Sequence, residues 1–443
     1  MPEDANKLNS FRGWPVIMPA AFNNALALQF QLDESETWAP EKMLHHQLYQ
    51  LRRILIFAKQ SVPLYRHYAI DLSAELNLDA FRNLPILNRA ALQAAGEKRL
   101  SRDPPKEQGP LRQSFTSGST SEPLTTYGNR HSATYNQATS FREHRWHSRN
   151  PRGIFAALRP NKDGQAKRPK LWSWLPDGGL SHAIDLNQSL AKSLDDLLKI
   201  DPDYLQVRPR ALLEMVRLGE KQGRRPGKLQ HAIIFGESVS ADHLKEITGA
   251  WNIKTFNNYS AVEVGSIAIQ CPEAGNLHIQ SENLFCEILD DDDEPVAIGE
   301  TGRVVLSTLH NFAAPMIRYD IGDYARRGAD CPCGRLLPVI DRIEGRVKNI
   351  VILPNGERRF PGAINYISRL APILQYRLHQ STYENFTLKL KVARPLSSDE
   401  EQSVRDCICR ELAFPLNIAI EYVDELHRDL GRKYQEFTTD VED

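Results

Sequence analysis

A layered α/β fold in two parts, one large and one small, is what this sequence predicts. Three observations carry it. Between about residues 171 and 259, short apolar runs of strand type alternate with amphipathic stretches at helical spacing. From Leu277 that alternation gives way to short strands with turns between them. At 443 residues the chain is also longer than one ordinary core organises, so it divides into domains.

Residues before about Trp38, including Met18-Pro-Ala-Ala-Phe-Asn, read as an irregular arm. Glu41–Gln60 follows Pro40 and sets Leu48, Leu51, Ile54, Leu55 and Ala58 at helical spacing, which predicts an amphipathic helix. A second short helix opens after Asn88, a good N-cap. His131–Arg149 reads as a long polar helix carrying His131, Arg142, His144, Arg145 and His147. Their spacing closes no ligand set, so the reading is a solvated charged face. Residues 161–170 are basic and free of apolar side chains, the composition of a disordered loop, and Leu171-Trp-Ser-Trp-Leu reads as a short strand.

Helices are expected over Asn187–Ile200 and Ala211–Gln222, with a strand over Pro202–Val207 between them. Ala232–Phe235 and Lys254–Tyr259 are apolar runs of buried-strand type. Leu284–Leu289, Gly302–Leu309 and Met316–Tyr319 read as the β-rich region. Asp290–Glu294 reads as a hairpin turn with a solvated tip, because an Asp-rich calcium loop needs a glycine and a spaced final glutamate. Strands are then expected over Val351–Leu353, Leu374–Gln380 and Thr387–Val392, and a helix over Ser398–Leu412 capped by Ser398. No internal repeat is present.

Composition narrows the function. The chain is 41% hydrophobic and 25% charged with a net charge of -1, so nothing in the balance calls for nucleic acid or an anionic membrane. No apolar run approaches the ~20 residues that span a bilayer. The first residues, Met-Pro-Glu-Asp-Ala-Asn, lack the basic-then-apolar order of a secretion signal, and a cytoplasmic location is the expectation. Six cysteines do not make a disulfide scaffold at this length; they read as core residues or metal ligands.

The chemistry centres on Ser114-Phe-Thr-Ser-Gly-Ser-Thr-Ser-Glu-Pro123. Hydroxyls crowd around Gly118, and such a loop can turn backbone N–H groups and side-chain oxygens toward a phosphate. It lacks the Gly-Lys-Ser/Thr of a P-loop. An ordinary solvated turn is the plain alternative.

This stretch resembles the phosphate loop of the adenylate-forming enzymes, usually Thr-Ser-Gly-Ser/Thr-Thr-Gly-x-Pro, with Ser121 in place of the usual glycine. Further resemblances follow in the family's order. Phe235-Gly-Glu-Ser238 is similar to the turn beside the nucleobase. Tyr259-Ser-Ala-Val-Glu263, just after a strand, is similar to Tyr-Gly-x-Thr-Glu, with Ser260 and Val262 departing from it. Arg318-Tyr-Asp-Ile-Gly-Asp323 is nearly the string of the phenylacetate–CoA ligase branch, and Ile343-Glu-Gly-Arg346-Val-Lys348 follows.

The resemblance implies an adenylating fold with a large domain over residues 1–346 and a small mobile one over 347–443. It implies ATP on Ser117, Gly118, Ser119, Thr120, Gly236, Glu237 and Ser238. Tyr259 would take the adenine, Asp323 the ribose hydroxyls and Arg346 phosphate or ribose. Glu263 would hold Mg²⁺ and Lys348 would serve as hinge. Gly431-Arg-Lys433 is the nearest match to the family's adenylation lysine. Lys433 is the choice, with Arg432 as alternative. A carboxylic acid would be activated as acyl-adenylate and passed to CoA, or to an amine. A catalytically inactive scaffold of the same fold is the rival.

The stretch between Arg142 and Ser181 lacks the glycine-rich run of the phenylacetate enzymes and is closer to the capsular-polysaccharide-associated relatives. Trp172, Trp174 and Tyr135 suit an aromatic guest, though aromatics near strands are more often core. Cys271, His278, Cys331 and Cys333 make a sensible tetrahedral Zn²⁺ set, and several members of the branch carry a structural zinc on a matching set. Self-association as a homodimer is left open.

Overall fold

The computed structural model describes residues 20–116, 124–159, 179–237, 239, 241–346, 350–361, 367–426 and 436–441. Eleven strands form one sheet, half parallel and half antiparallel. The parallel half runs Ser181–Asp185, Phe155–Arg159, Tyr204–Val207, His231–Phe235 and Lys254–Ala261. Its central strands carry apolar runs, Phe155–Leu158 and Ala232–Phe235, and helices Leu190–Ile200, Pro209–Gln222 and Ala241–Trp251 pack against the sheet through Leu194, Leu212, Val216, Ile247 and Trp251. Ser189 caps the first of these helices by accepting from the Lys192 N–H.

Lys254–Ala261 is the seam of the sheet. It pairs in parallel with His231–Phe235 on one side and antiparallel with Gly265–Gln270 on the other. The antiparallel half continues through Leu277–Ile279, Val339–Arg346, Tyr319–Arg327, Thr301–Thr308 and Leu284–Leu289. The helix Pro40–Ser61 lays Leu51, Leu55 and Ala58 into the same core as Leu284, Val304, Leu306 and Ile340. A separate core lies further on, where Leu378, Leu388 and Leu390 of a four-stranded sheet pack on Val404, Ile408 and Leu412 of the helix Ser398–Leu412. Among the described residues, no helix is long and apolar enough to cross a membrane.

Four expectations need correction. The arm before Trp38 is not irregular over its described part: Ala20–Ser35 is a helix. It contains neither Gly nor Pro, and it packs Phe22 edge-on against Phe141 at 5.3 Å. The helix Arg130–Trp146 is not a solvated face. Phe141, Arg142, Glu143, His144 and Trp146 are buried. Arg142 is wholly enclosed because Glu282 takes its charge at 2.7 Å and the Leu32 carbonyl accepts from it. His131 and Arg145 stay on the surface, the latter beside Asp33 and Glu36. The strand expected over Met316–Tyr319 starts at Tyr319 instead. Arg318 has a left-handed φ of 45°, and its guanidinium lies between Glu287 and the carbonyls of Arg82 and Leu84. The last helix is capped by Ser397, not Ser398, in a reciprocal arrangement with Glu400.

Residues 161–170, Trp172 and Trp174 lie outside the described residues. The turn at Asp290–Glu294 does join two antiparallel strands, and Asp290 accepts from the Asp292 and Glu294 N–H groups. Its tip is tied down, with Asp291 on Arg358 and Asp293 on Arg303.

Candidate functional site

The carboxyl ends of the parallel strands are where open α/β sheets present ligands, and the predicted residues that can be placed gather there. Tyr259 lies within the seam strand, two residues before its end, and Glu263 stands in the turn after it. Asp323 lies opposite Arg346 in the ladder of the two neighbouring antiparallel strands. The Tyr259 hydroxyl donates to Asp323 Oδ2 at 2.8 Å, and Arg346 Nε reaches Asp323 Oδ1 at 3.0 Å. Burial, then the Asp323 charge, hold the Tyr259 phenol far above its ordinary range, so it stays a donor. Only 9% of Tyr259 is exposed, which leaves little ring face for a base. What it gives the site is the orientation of Asp323.

Glu263 is nearly enclosed. Burial raises its pKa, while Arg346 and Arg89 pull it down and Asp323 adds to the rise. Arg89 Nη1 lies 3.8 Å from Glu263, and Arg89 Nη2 donates to Thr116 Oγ1 at 2.9 Å. Thr116 also closes the stem of the hydroxyl-rich loop: its N–H donates to the Leu124 carbonyl, and its hydroxyl accepts from the Leu124 N–H. One guanidinium therefore joins the foot of that loop to the acidic pair. Nothing in the local sequence marks Arg89, which sits one place after a helix cap and 174 positions before Glu263.

Gly236 takes a left-handed φ of 77° just after His231–Phe235, a turn that favours glycine. Glu237 follows it and faces Arg208 at 3.7 Å. Ser117, Gly118, Ser119, Thr120, Ser238, Lys348 and Lys433 lie outside the described residues, as does Arg432.

A cavity of about 210 Å³ opens beside Glu263, between the first turns of Arg130–Trp146 and the start of Gly265–Gln270. Tyr135 does not line it; its ring stacks on His310 at 3.9 Å.

The Cys/His set comes together at the far end of the antiparallel strands. Cys271 follows Gly265–Gln270, His278 lies on Leu277–Ile279, and Cys331 and Cys333 sit in the loop before Val339–Arg346. All four ligand atoms lie within 4.8 Å of one another. Cys331 and Cys271 Sγ atoms are 3.8 Å apart, and Cys333 Sγ is 3.4 Å from His278 Nε2. Tetrahedral zinc with ordinary bond lengths asks for about 3.8 Å between sulfurs and about 3.6 Å between sulfur and nitrogen. His278 Nδ1 faces the Leu337 carbonyl, which leaves Nε2 for a metal, and burial keeps the ring neutral by lowering its pKa. The residues present fit a structural Zn²⁺. Cys407 is buried in the last helix.

No family model matches the chain. Among curated proteins it is similar to the phenylacetate-coenzyme A ligase of Thermus thermophilus, with 25% identity over 221 residues, or 47% of this chain and 48% of that one. The match thus spans about half the length of that relative. With the phenylacetate-coenzyme A ligase of Pseudomonas putida the identity is 26% over 377 residues, covering 79% of this chain and 82% of the other. Among solved structures, a 2-hydroxyisobutyryl-CoA ligase in the postadenylation state, in complex with R3-HIB-AMP, superposes with a TM-score of 0.72 over 89% of both chains at 16% identity. The fold is that of the adenylate-forming ligases. Within that class, the named proteins this sequence is similar to are phenylacetate–CoA ligases.

Proposed function

We propose that this chain is an adenylate-forming ligase that activates a carboxylic acid with ATP and passes the acyl group to coenzyme A. The observation that carries this reading is the convergence of Tyr259, Asp323 and Arg346 with Glu263, Arg89 and the foot of the hydroxyl-rich loop at one sheet edge. The string containing Asp323 and the curated relatives point the same way.

In this reading Asp323, oriented by Tyr259, accepts from the two ribose hydroxyls. Arg346 lies within reach of ribose or phosphate. Residues 117–120 cradle the phosphates, and Gly236-Glu237-Ser238 borders the base. The acid's carboxylate oxygen attacks the α-phosphorus, the bond to the bridging oxygen breaks, and pyrophosphate leaves. Lys433 meets the negative charge that develops there. Glu263 holds Mg²⁺, which when bound supplies positive charge against the phosphates. The segment after Arg346 then turns about Lys348 and a thiol displaces AMP from the acyl carbon. The Cys271, His278, Cys331 and Cys333 set holds Zn²⁺ as a structural clamp.

The test is carboxylate-dependent exchange of labelled pyrophosphate into ATP, run without CoA. Exchange that needs an acid supports the first half-reaction, and subsequent CoA-dependent AMP release supports the second. Silence across a broad acid panel would favour the inactive scaffold instead.

A further inference from the structure

The cavity beside Glu263 is lined unlike a pocket for an apolar guest. Such pockets are mostly hydrophobic with a few placed polar groups, whereas here asparagines, hydroxyls and a histidine outnumber Ala133, Val262 and Val264. Some of that polarity is already committed. Asn129 donates to Gln108 at 2.8 Å and to Asn311 at 3.3 Å, and Asn311 donates to the Tyr127 carbonyl at 2.8 Å. His310 Nε2 faces the Glu282 carbonyl at 2.7 Å, and burial lowers its pKa to about 4. The ring is therefore neutral and its Nδ1 is an acceptor.

Two amides remain. The side chains of Asn136 and Asn283 form no hydrogen bond with any described residue, yet both line the cavity. Asn136 is held in place from behind. Gly265, at φ +84°, lets the amide lie so close that a Cβ on it would come within 2.1 Å of Asn136 Oδ1. The chain thus makes room for a polar group at the cavity wall; Asn136 is exposed and Asn283 half-buried, so their hydrogen bonds are left to solvent until a ligand arrives.

We infer that the acid this chain activates is small and carries a hydroxyl or amide substituent, which Asn136 and Asn283 read. The inference rests on the adenylating role proposed for the site. An apolar tail of the same size would displace water from both amides and give them no partner, at up to roughly tenfold in affinity for each. A site built to bond a substituent also rejects the isostere that lacks it more sharply than an apolar pocket rejects an added hydroxyl. The volume gives the scale: an engineered cavity of about 150 Å³ takes benzene, so an acid tail of that order fills the about 210 Å³ here.

The experiment is pyrophosphate exchange with shape-matched pairs: 3-hydroxybutyrate against 3-methylbutyrate, and N-acetylglycine against 4-methylpentanoate, with phenylacetate as an aromatic reference. The expected result is a kcat/KM at least tenfold higher for a polar member than for its apolar match and for phenylacetate. Asn136→Leu should erase or invert that preference, and Asn283→Ala should weaken it, while MgATP still raises the Tm of both variants as it does that of wild type. A wild-type preference for the apolar members overturns the inference and leaves the adenylating role standing. So does a polar preference that neither substitution moves. A wild type silent with every acid overturns the adenylating role and the inference with it.

Discussion

The Tyr259 hydroxyl donates to one oxygen of Asp323 at 2.8 Å while Arg346 holds the other at 3.0 Å. The carboxylate is thereby fixed in rotation before any ribose arrives. A pre-oriented bidentate acceptor loses less freedom on binding a diol. Tyr259→Phe removes one charge-assisted bond and should weaken ATP by about tenfold. Asp323→Asn should weaken it by about a hundredfold, because it leaves Arg346 unpaired as well as changing the acceptor. Equilibrium binding of ATP measured calorimetrically checks both.

Glu263 sets stability against function. Its carboxyl is pushed up by burial more than Arg346 and Arg89 pull it down, so the folded chain takes its proton more readily than the unfolded one. That preference favours folding at acid pH and is lost as pH rises through the raised pKa. At neutral pH the ionised, desolvated carboxylate therefore costs the metal-free protein stability. Glu263→Gln should melt higher than wild type at neutral pH, with the gain shrinking on acidification, and should lose pyrophosphate exchange. Melting curves across pH check the first part and the exchange assay the second.

The Cys/His set should bind one zinc per chain. Removing it with a chelator, or changing Cys331→Ser, should lower the Tm by several degrees while leaving secondary structure largely in place, because the set ties a loop to strands that have their own core. Elemental analysis together with thermal melts decides this. Absence of bound metal after expression in zinc-replete medium would count against it.

Arg210 reaches Glu436 at 3.3 Å, and Tyr376 donates to the same carboxylate at 3.1 Å. Glu436 stands three residues after Lys433, so this contact ties the base of the segment carrying that lysine to the start of the helix Pro209–Gln222. Lys433→Ala should abolish adenylate formation and spare ATP binding. Arg210→Ala should slow pyrophosphate exchange about tenfold, in keeping with the loss of a partly buried ion pair. It should affect thioester formation from preformed acyl-adenylate much less. Comparing the two half-reactions separates a positioning role from a general loss of stability.

Much of the α/β middle was legible because periodicity and punctuation act locally. Asn88 caps its helix as its side chain dictates, and Ala232–Ile234 is buried on both faces as its composition requires. What escaped depends on distant partners. Arg142 and His144 read as solvated until Glu282 and Arg149 are placed against them. Val339–Arg346, with Asp341, Arg342 and Glu344 in it, hides its strand character because only part of it is covered. The site was legible as an ordered set of motifs, yet Arg89 and the Tyr259–Asp323 bond were not. Both are juxtapositions made by the sheet, and neither alters any local pattern.

The strand Val339–Arg346 begins beside His278, at the Cys/His set, and ends at the guanidinium that grips Asp323. At ~3.3 Å per residue it is a rod of about 25 Å. A metal clamped at its foot never meets a reactant, yet it would decide how firmly the tip is aimed. Trace-element supply would then set catalytic competence from a distance, with starvation read first as weakened nucleotide grip rather than as wholesale unfolding.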